Sequence, residues 1–301
     1  MKHFLTIVCF ILVSTIIEAQ YAVRQDWKYL PWVQELIYAS KYMGPDALPV
    51  PETVFGNIDG NMEIESRVGS NTAVGDQTEN IKLRIAYPIV KNIVKFEATD
   101  VFEYYKLSPN SPLINKDGYG VDNGFIAGDI NATTIIQAVR NKTFPDVIIR
   151  VNLRTASGKN RQAGRFTDAP GYFFDVSFSK GLKFDNKVLN QAGLYASVGF
   201  YCWQTNDDFH PQDDAKLGSF GAFVNSGKLS LKSELDGYYG YMNNGDRPLV
   251  SRTSLSYKNS RVYYTLQYQT GMHDFEYNIV SFSFTFLFDA PSLPVFSDKK
   301  E

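Results

Sequence analysis

From Met62 onward, apolar and polar residues alternate along a succession of short segments. The segment IKLRIAY places Ile81, Leu83 and Ile85 on one set of alternating positions, with Lys82 and Arg84 on the other. Successive side chains of a β-strand point to opposite faces, so a period of two predicts strands with one apolar and one polar face. The segments VIIRVNLRT, KLSLKSELDGYYGY and SFSFTFLF follow the same rule.

This periodicity predicts about twelve strands between residues 62 and 288, and therefore an all-β fold. The predicted strands are roughly 62–70, 78–87, 93–106, 132–141, 146–157, 171–181, 192–205, 218–226, 228–241, 250–258, 261–270 and 276–288. Their lengths are near the 9–11 residues of a tilted membrane-spanning strand. The strands at 132–141 and 218–226 alternate poorly, so the pattern leaves their facing open.

The amino terminus differs from the rest of the chain. MKHFLTIVCFILVSTIIEAQ has a charged start, an apolar run and a small residue, Ala19, which is typical of an export signal. We expect residues 1–19 to be that signal peptide. Within residues 20–61, the apolar positions near helical spacing predict a short helix, and the proline-rich GPDALPVPE predicts an extended linker. This segment is expected either to plug a barrel or to lie in the periplasm.

Composition narrows the class of protein. The formal net charge is −2 over 301 residues, and a nucleic-acid partner would favour a basic surplus. Aromatic residues make up 15% of the chain, which suits strands better than helices. After the signal peptide only Cys202 remains, so no disulfide within the mature chain is expected.

Alternation alone does not distinguish a soluble β-protein from a membrane barrel. The predicted connections alternate in length: long gaps such as GKNRQAGRFTDAPG and NDDFHPQDDAKLG take turns with short ones such as NSG and KNS. Long loops at one end and tight turns at the other are typical of outer-membrane barrels, in which the turns are periplasmic and the loops extracellular.

The export signal, the loop pattern and the aromatic final strand resemble those of outer-membrane β-barrel proteins of Gram-negative bacteria. The resemblance covers about residues 62–288 and implies a closed antiparallel transmembrane barrel in the cell outer membrane. It also implies contact with outer-membrane lipid and with the barrel-assembly machinery, which recognises a terminal aromatic residue; Phe288 is the candidate. The sequence departs from the family in its tail, residues 289–301, which follows that aromatic residue.

The polar positions of the strands carry charges of both signs, which a barrel would turn toward its lumen. They would either form cross-strand ion pairs that stiffen the wall or tune the passage of charged solutes. The lumen-lining or solute-path candidates are Lys82, Arg84, Lys95, Glu97, Arg150, Arg154, Lys232, Glu234, Asp236 and Arg252.

Other chemistry is weakly indicated. Carboxylates at Asp207, Asp208, Asp213 and Asp214 are weak candidates for a calcium site, against the simpler interpretation of a solvated acidic loop. His210 and His273 are the two histidines after the signal peptide, and neither belongs to a hydrolase motif. No cofactor motif is present. We therefore expect no enzyme.

Three functions remain open at this stage. The first is a channel or selective transporter that passes small solutes through a narrow polar lumen. The second is a non-conducting barrel that acts in adhesion, anchoring or assembly through its long loops. The third, an outer-membrane hydrolase, is disfavoured. Twelve strands give a lumen between a small barrel filled by its own side chains and a wide porin channel.

Overall fold

The computed structural model describes residues 36–108, 111, 123–185, 189–207, 209–291 and 293. The described chain contains thirteen strands and one short 3-10 turn, Arg161–Ala163. The strands are β1 Asn61–Ala73, β2 Asp76–Val90, β3 Val94–Leu107, β4 Asn123–Ala127, β5 Asn131–Val139, β6 Asp146–Arg154, β7 Gly171–Lys183, β8 Gln191–Gln204, β9 Gln212–Ser226, β10 Leu229–Gly240, β11 Leu249–Asn259, β12 Val262–His273 and β13 Asn278–Asp289.

The strands form a closed antiparallel barrel with twelve positions around its wall. Apart from β4 and β5, each strand pairs with its neighbours in sequence, and β1 pairs with β13 from Asn61↔Asp289 to Thr72↔Asn278, which closes the ring. Strands β4 and β5 occupy one position, since both pair with β3, at 102–106 and 94–99 respectively. The closed antiparallel barrel that the loop pattern and the family resemblance implied is thereby confirmed.

The outer and inner faces of the wall follow the alternation of the sequence. In β13, Phe284, Phe286 and Phe288 are exposed on the outside, while Ser281 and Ser283 are buried on the inside. The same alternation runs through the exposed apolar residues of the other strands. A barrel with an apolar exterior and a polar interior suits a lipid surrounding, because closure of the ring through β1 and β13 lets the wall strands pair their backbone groups with one another.

The connections differ from prediction at one point. The expected first long loop, SNTAVGDQTEN, is mostly strand: β1 and β2 are joined by Val74 and Gly75 alone. The polar composition of this stretch is typical of a loop, but its residues continue the hydrogen-bonded pairing of β1 with β2 beyond the apolar part of the strands. The other connections at this end of the barrel are 108–122, 155–170, 205–211, 241–248 and 274–277; we call this the long-loop end.

The opposite end carries shorter connections, and we call it the short-turn end. Its connections are 91–93, 140–145, 184–190, 227–228 and 260–261. Strand β1 begins and strand β13 ends at this side, as expected for an even number of wall positions. The asymmetry of loop length therefore survives the correction of the first loop.

The segment that precedes the barrel is not helical where the structure describes it. Residues 36–60 contain only turns, bends and extended chain. The predicted helix is unsupported, and its earlier part, residues 21–35, lies outside the described residues. Pro45, Pro49 and Pro51 oppose a helix here because each lacks a backbone N–H and restricts the residue before it. Among the described helices, none is long and apolar enough to cross a membrane.

The tail after Phe288 returns toward β2. The Leu293 backbone N–H donates to the Ile89 carbonyl (2.9 Å), and Leu293 forms a parallel bridge with Val90. The Tyr87 hydroxyl donates to the carbonyl of Pro291. The tail residues 292 and 294–301 lie outside the described part of the chain.

The outward face can be tested by placing a charge at two depths on one strand. Val198, midway along the outer face of β8, is 61% exposed, and Gln204 ends the same strand on the same face. We expect Val198→Arg to lower the free energy of unfolding by about 2–4 kcal/mol and Gln204→Arg by about 0–1 kcal/mol. Urea unfolding in lipid vesicles measures both. Equal costs would contradict a lipid-facing outer surface.

Candidate functional site in the barrel lumen

Residues 36–60, which we call the luminal segment, run through the inside of the barrel. At the long-loop end, the Asn206 side chain donates to the Leu36 carbonyl (2.8 Å), and the Trp203 indole donates to the Tyr38 carbonyl (2.9 Å). At the short-turn end, the Gly56 backbone N–H donates to Ser179 Oγ (3.0 Å). The segment thus spans the lumen from end to end before β1 begins.

Inner-face arginines hold the backbone of the luminal segment. Arg150 Nη1 donates to the Glu52 carbonyl (2.7 Å), while Arg154 and Arg252 donate to the carbonyls of Ala47 and Val50 respectively. These three carbonyls accept no backbone hydrogen bond among the described residues, so they need side-chain donors when buried. These cations on β6 and β11 supply them.

One wall of the lumen, formed by β1, β2 and β3, carries a connected network of ion pairs. Arg84 donates to Glu63 (2.5 Å), Glu97 (2.7 Å) and Glu65 (3.1 Å). Lys95 Nζ lies 2.5 Å from Glu63 Oε1. Charge-assisted hydrogen bonds of this kind orient the side chains and compensate for the loss of water.

The luminal segment joins the same network through its own carboxylates. Arg67 Nη1 donates to Glu52 (2.6 Å), and Lys82 Nζ lies 2.5 Å from Asp46 Oδ1. Lys95 also contacts Asp59 at 2.9 Å. The segment therefore contributes charged side chains along its length, in addition to its backbone.

Aromatic residues fill the lumen on one side of the long-loop end. Trp203, Tyr201 and Tyr238 of the wall are buried against Tyr38 and Met43 of the luminal segment. The Trp203 ring centroid lies 5.0 Å from that of Tyr201 and 5.4 Å from that of Tyr238. Trp203 and Met43 are 0% exposed. We call this group the aromatic closure.

The other side of the long-loop end is filled by the loop 155–170, which folds inward. Its Arg165 side chain is 0% exposed and donates to Asp76 Oδ2 (2.6 Å) and Glu103 Oε2 (2.9 Å). The Gly44 backbone N–H of the luminal segment donates to the Gly164 carbonyl (2.7 Å). A Cβ atom at Gly44 would lie 2.8 Å from the Arg165 guanidinium carbon, so only glycine permits this approach.

Below these two closures, a polar cavity of about 540 Å³ lies between the luminal segment and the wall. Its lining extends from Pro45 to Asp59 along the segment and includes inner residues of β1, β2, β3, β5 and β6. The charged lining residues are the acidic Asp46, Glu52, Asp59, Glu63, Glu65, Glu97, Asp100 and Asp129 and the basic Arg67, Lys82, Arg84, Lys95, Arg150 and Arg252. Carboxylates therefore outnumber cations in this wall.

The ten residues predicted from sequence all lie on the inner side of the barrel. Six of them line the cavity: Lys82, Arg84, Lys95, Glu97, Arg150 and Arg252. The other four surround the luminal segment elsewhere. Lys232 pairs with Glu234 (2.8 Å), Asp236 with Arg252 (2.6 Å), and Arg154 lies 3.8 Å from Asp129. Their role on a solute path stays a prediction.

The weak metal candidates are dispersed. Asp213 is buried in β9, while Asp207 and Asp214 bond within their own loop or strand; Asp208 lies outside the described residues. The Phe209 backbone N–H and the His210 side chain lower the pKa of the Asp207 carboxyl. No group of three or more His, Cys, Asp or Glu residues gathers for a metal within the described chain.

Several important inner residues were not found from the sequence. The segment GPDALPVPE was interpreted as a linker, although its acids Asp46 and Glu52 pair with wall cations. Its combination of prolines and carboxylates was the available signal. Arg165 lies in a predicted exposed loop, and no local pattern marks it as buried.

Comparison with known proteins supports the fold. No protein-family model matches the chain, and no curated protein matches it in sequence. Among solved structures, the COG4313 outer membrane channel from Pseudomonas putida F1 is similar, with a TM-score of 0.59 and 12% identity, over 80% of this chain and 100% of that chain. A structure of the NanC porin has a TM-score of 0.50 and 9% identity, over 74% and 98% respectively.

At such identities the similarity concerns the fold alone. This chain has the fold of outer-membrane β-barrel channels and porins. Together with the apolar outer face, the fold supports the expected location in the cell outer membrane.

The buried ionic group around Arg165 yields a stability prediction. Arg165→Met leaves Asp76 and Glu103 buried without their cation, so we expect the free energy of unfolding to fall by about 3–5 kcal/mol. Arg261 forms a matched but exposed pair with Asp289 at 2.6 Å. Arg261→Met is expected to cost less than about 1 kcal/mol. Urea unfolding in vesicles measures both; equal losses would contradict the anchoring role of Arg165.

Proposed function

We propose that this protein is an outer-membrane channel that admits small polar solutes through its lumen. The observation that carries the proposal is the charged cavity of about 540 Å³ between the luminal segment and the barrel wall. A barrel that served only as an anchor would have no need for a polar cavity inside it. The similarity of the fold to outer-membrane channels agrees with this function.

The solute path runs along the wall formed by β1, β2 and β3. There a passing solute meets side chains of both signs of charge, in the ion-pair network of Arg84 and Lys95 with Glu63, Glu65 and Glu97. Fixed charges at a narrow passage replace part of the hydration of an ion and select by sign. Because carboxylates outnumber cations in the lining, the path favours cations weakly.

The channel is closed at its long-loop end in this conformation. The aromatic closure and the inward loop 155–170 fill the cross-section there, so conduction requires displacement of the upper part of the luminal segment. The same observation favours a second candidate, a non-conducting barrel whose long loops do the work. The two candidates differ in whether loosening the closure produces a current.

Loosening the aromatic closure tests conduction. We expect wild-type protein in planar bilayers to give rare, small steps, and the double variant Trp203→Ala, Tyr238→Ala to conduct several-fold more, because two large side chains leave the lumen. Tyr239→Ala is the matched control, since Tyr239 neighbours Tyr238 but faces outward. It should leave the current unchanged. Absence of current from the folded double variant would favour the non-conducting candidate.

Charge neutralisation tests the path. Glu97 pairs with Arg84 at 2.7 Å, and both line the cavity. In a salt gradient across the bilayer, we expect Glu97→Gln to shift the reversal potential toward anions and Arg84→Gln to shift it toward cations. Both changes can be made in the double variant if the wild-type current is too small. Unchanged reversal potentials would mean that ions do not pass this wall.

A further inference from the structure

The luminal segment passes through the barrel in one direction. Near its start, the backbone N–H of Lys41 donates to the Gly245 carbonyl in loop 241–248 (3.2 Å). Near its end, Arg140 Nη2 donates to the Ile58 carbonyl at the short-turn end (2.9 Å). The chain therefore enters the lumen at the long-loop end and leaves it at the opposite end, where β1 begins.

The first residues of the luminal segment are accessible at the long-loop end. Ile37 is 40% exposed, and the Lys41 side chain is 40% exposed beside Asp274 in loop 274–277. Ala39, Met43 and Trp203 are fully buried, so the segment is enclosed within a few residues of its start.

We propose that the luminal segment enters the barrel from the extracellular side and presents its first exposed residues, Ile37 and Lys41, at the outer surface of the cell. In outer-membrane barrels the longer loops are extracellular and the short turns periplasmic. The start of the segment thus shares the cell surface with loops 205–211 and 241–248, whereas β1 begins and β13 ends at the periplasmic end. The inference rests on orientation in the membrane and is independent of whether the barrel conducts.

Cysteine labelling of intact cells with a membrane-impermeant maleimide tests the topology. The natural Cys202 is buried and gives little background. The probes are Lys41→Cys at the exposed start of the luminal segment and Asn57→Cys, an exposed position near its end. Phe209→Cys, in loop 205–211, is the external control, and Lys228→Cys, in turn 227–228, is the periplasmic control. Heat-modifiable migration in gels verifies that each variant is folded.

We expect Lys41→Cys and Phe209→Cys to be labelled in intact cells, and Asn57→Cys and Lys228→Cys only after the outer membrane is permeabilised. Labelling of Lys41→Cys only after permeabilisation, with Phe209→Cys labelled in intact cells, would overturn the proposal. Labelling of Lys228→Cys but not Phe209→Cys in intact cells would overturn it as well, because the barrel would then be inverted. Neither outcome depends on a current, so the proposal and the channel function can fail separately.

Discussion

The pairing of β1 with β13 is the constraint on which the rest of the structure depends. In a bilayer each unpaired backbone group costs several kcal/mol, so a sheet is stable there only when its first and last strands join. Closure with twelve strand positions around the wall fixes the circumference of the barrel and therefore the width of its lumen. That lumen is too wide for the wall side chains to fill by themselves. The chain provides its own filling in residues 36–60.

The filling is compatible with the polar inner wall because the two sides complement each other chemically. The luminal segment forms neither helix nor strand, and three of its carbonyls accept hydrogen bonds from Arg150, Arg154 and Arg252. Its prolines lack N–H groups, which reduces the number of buried donors that need partners. The carboxylates of the segment pair with wall cations in turn. A polar lumen is thereby occupied with few unsatisfied groups.

The parts of this fold that a local rule controls were predictable from the sequence. Alternation gave the strands and their faces, since a strand has a period of two whatever surrounds it. The alternation rule failed at residues 71–80, where the ends of β1 and β2 are polar and continue the strands beyond the apolar band. It also failed at residues 123–139, where residues 128–130 divide one wall position into the two strands β4 and β5.

The arrangement within the lumen was harder to predict, because it depends on contacts between distant parts of the chain. Asp46 meets Lys82, and Arg165 meets Asp76, across long stretches of sequence. Periodicity reports which face a residue occupies and not which residue it meets there. The inward placement of the ten charged candidates was therefore accessible from sequence, whereas their partners on the luminal segment were not.

A ring with a strand of its own chain through the middle restricts the order of assembly. If β1 and β13 paired first, the luminal segment would have to be threaded through a space that tightly packed aromatic side chains occupy in the finished protein. Laying the segment along the still-open sheet and closing the seam last avoids that barrier. The luminal segment then acts as a template around which the sheet closes. Its contacts with β2, β6 and β11 help set the curvature of the sheet before β1 and β13 pair.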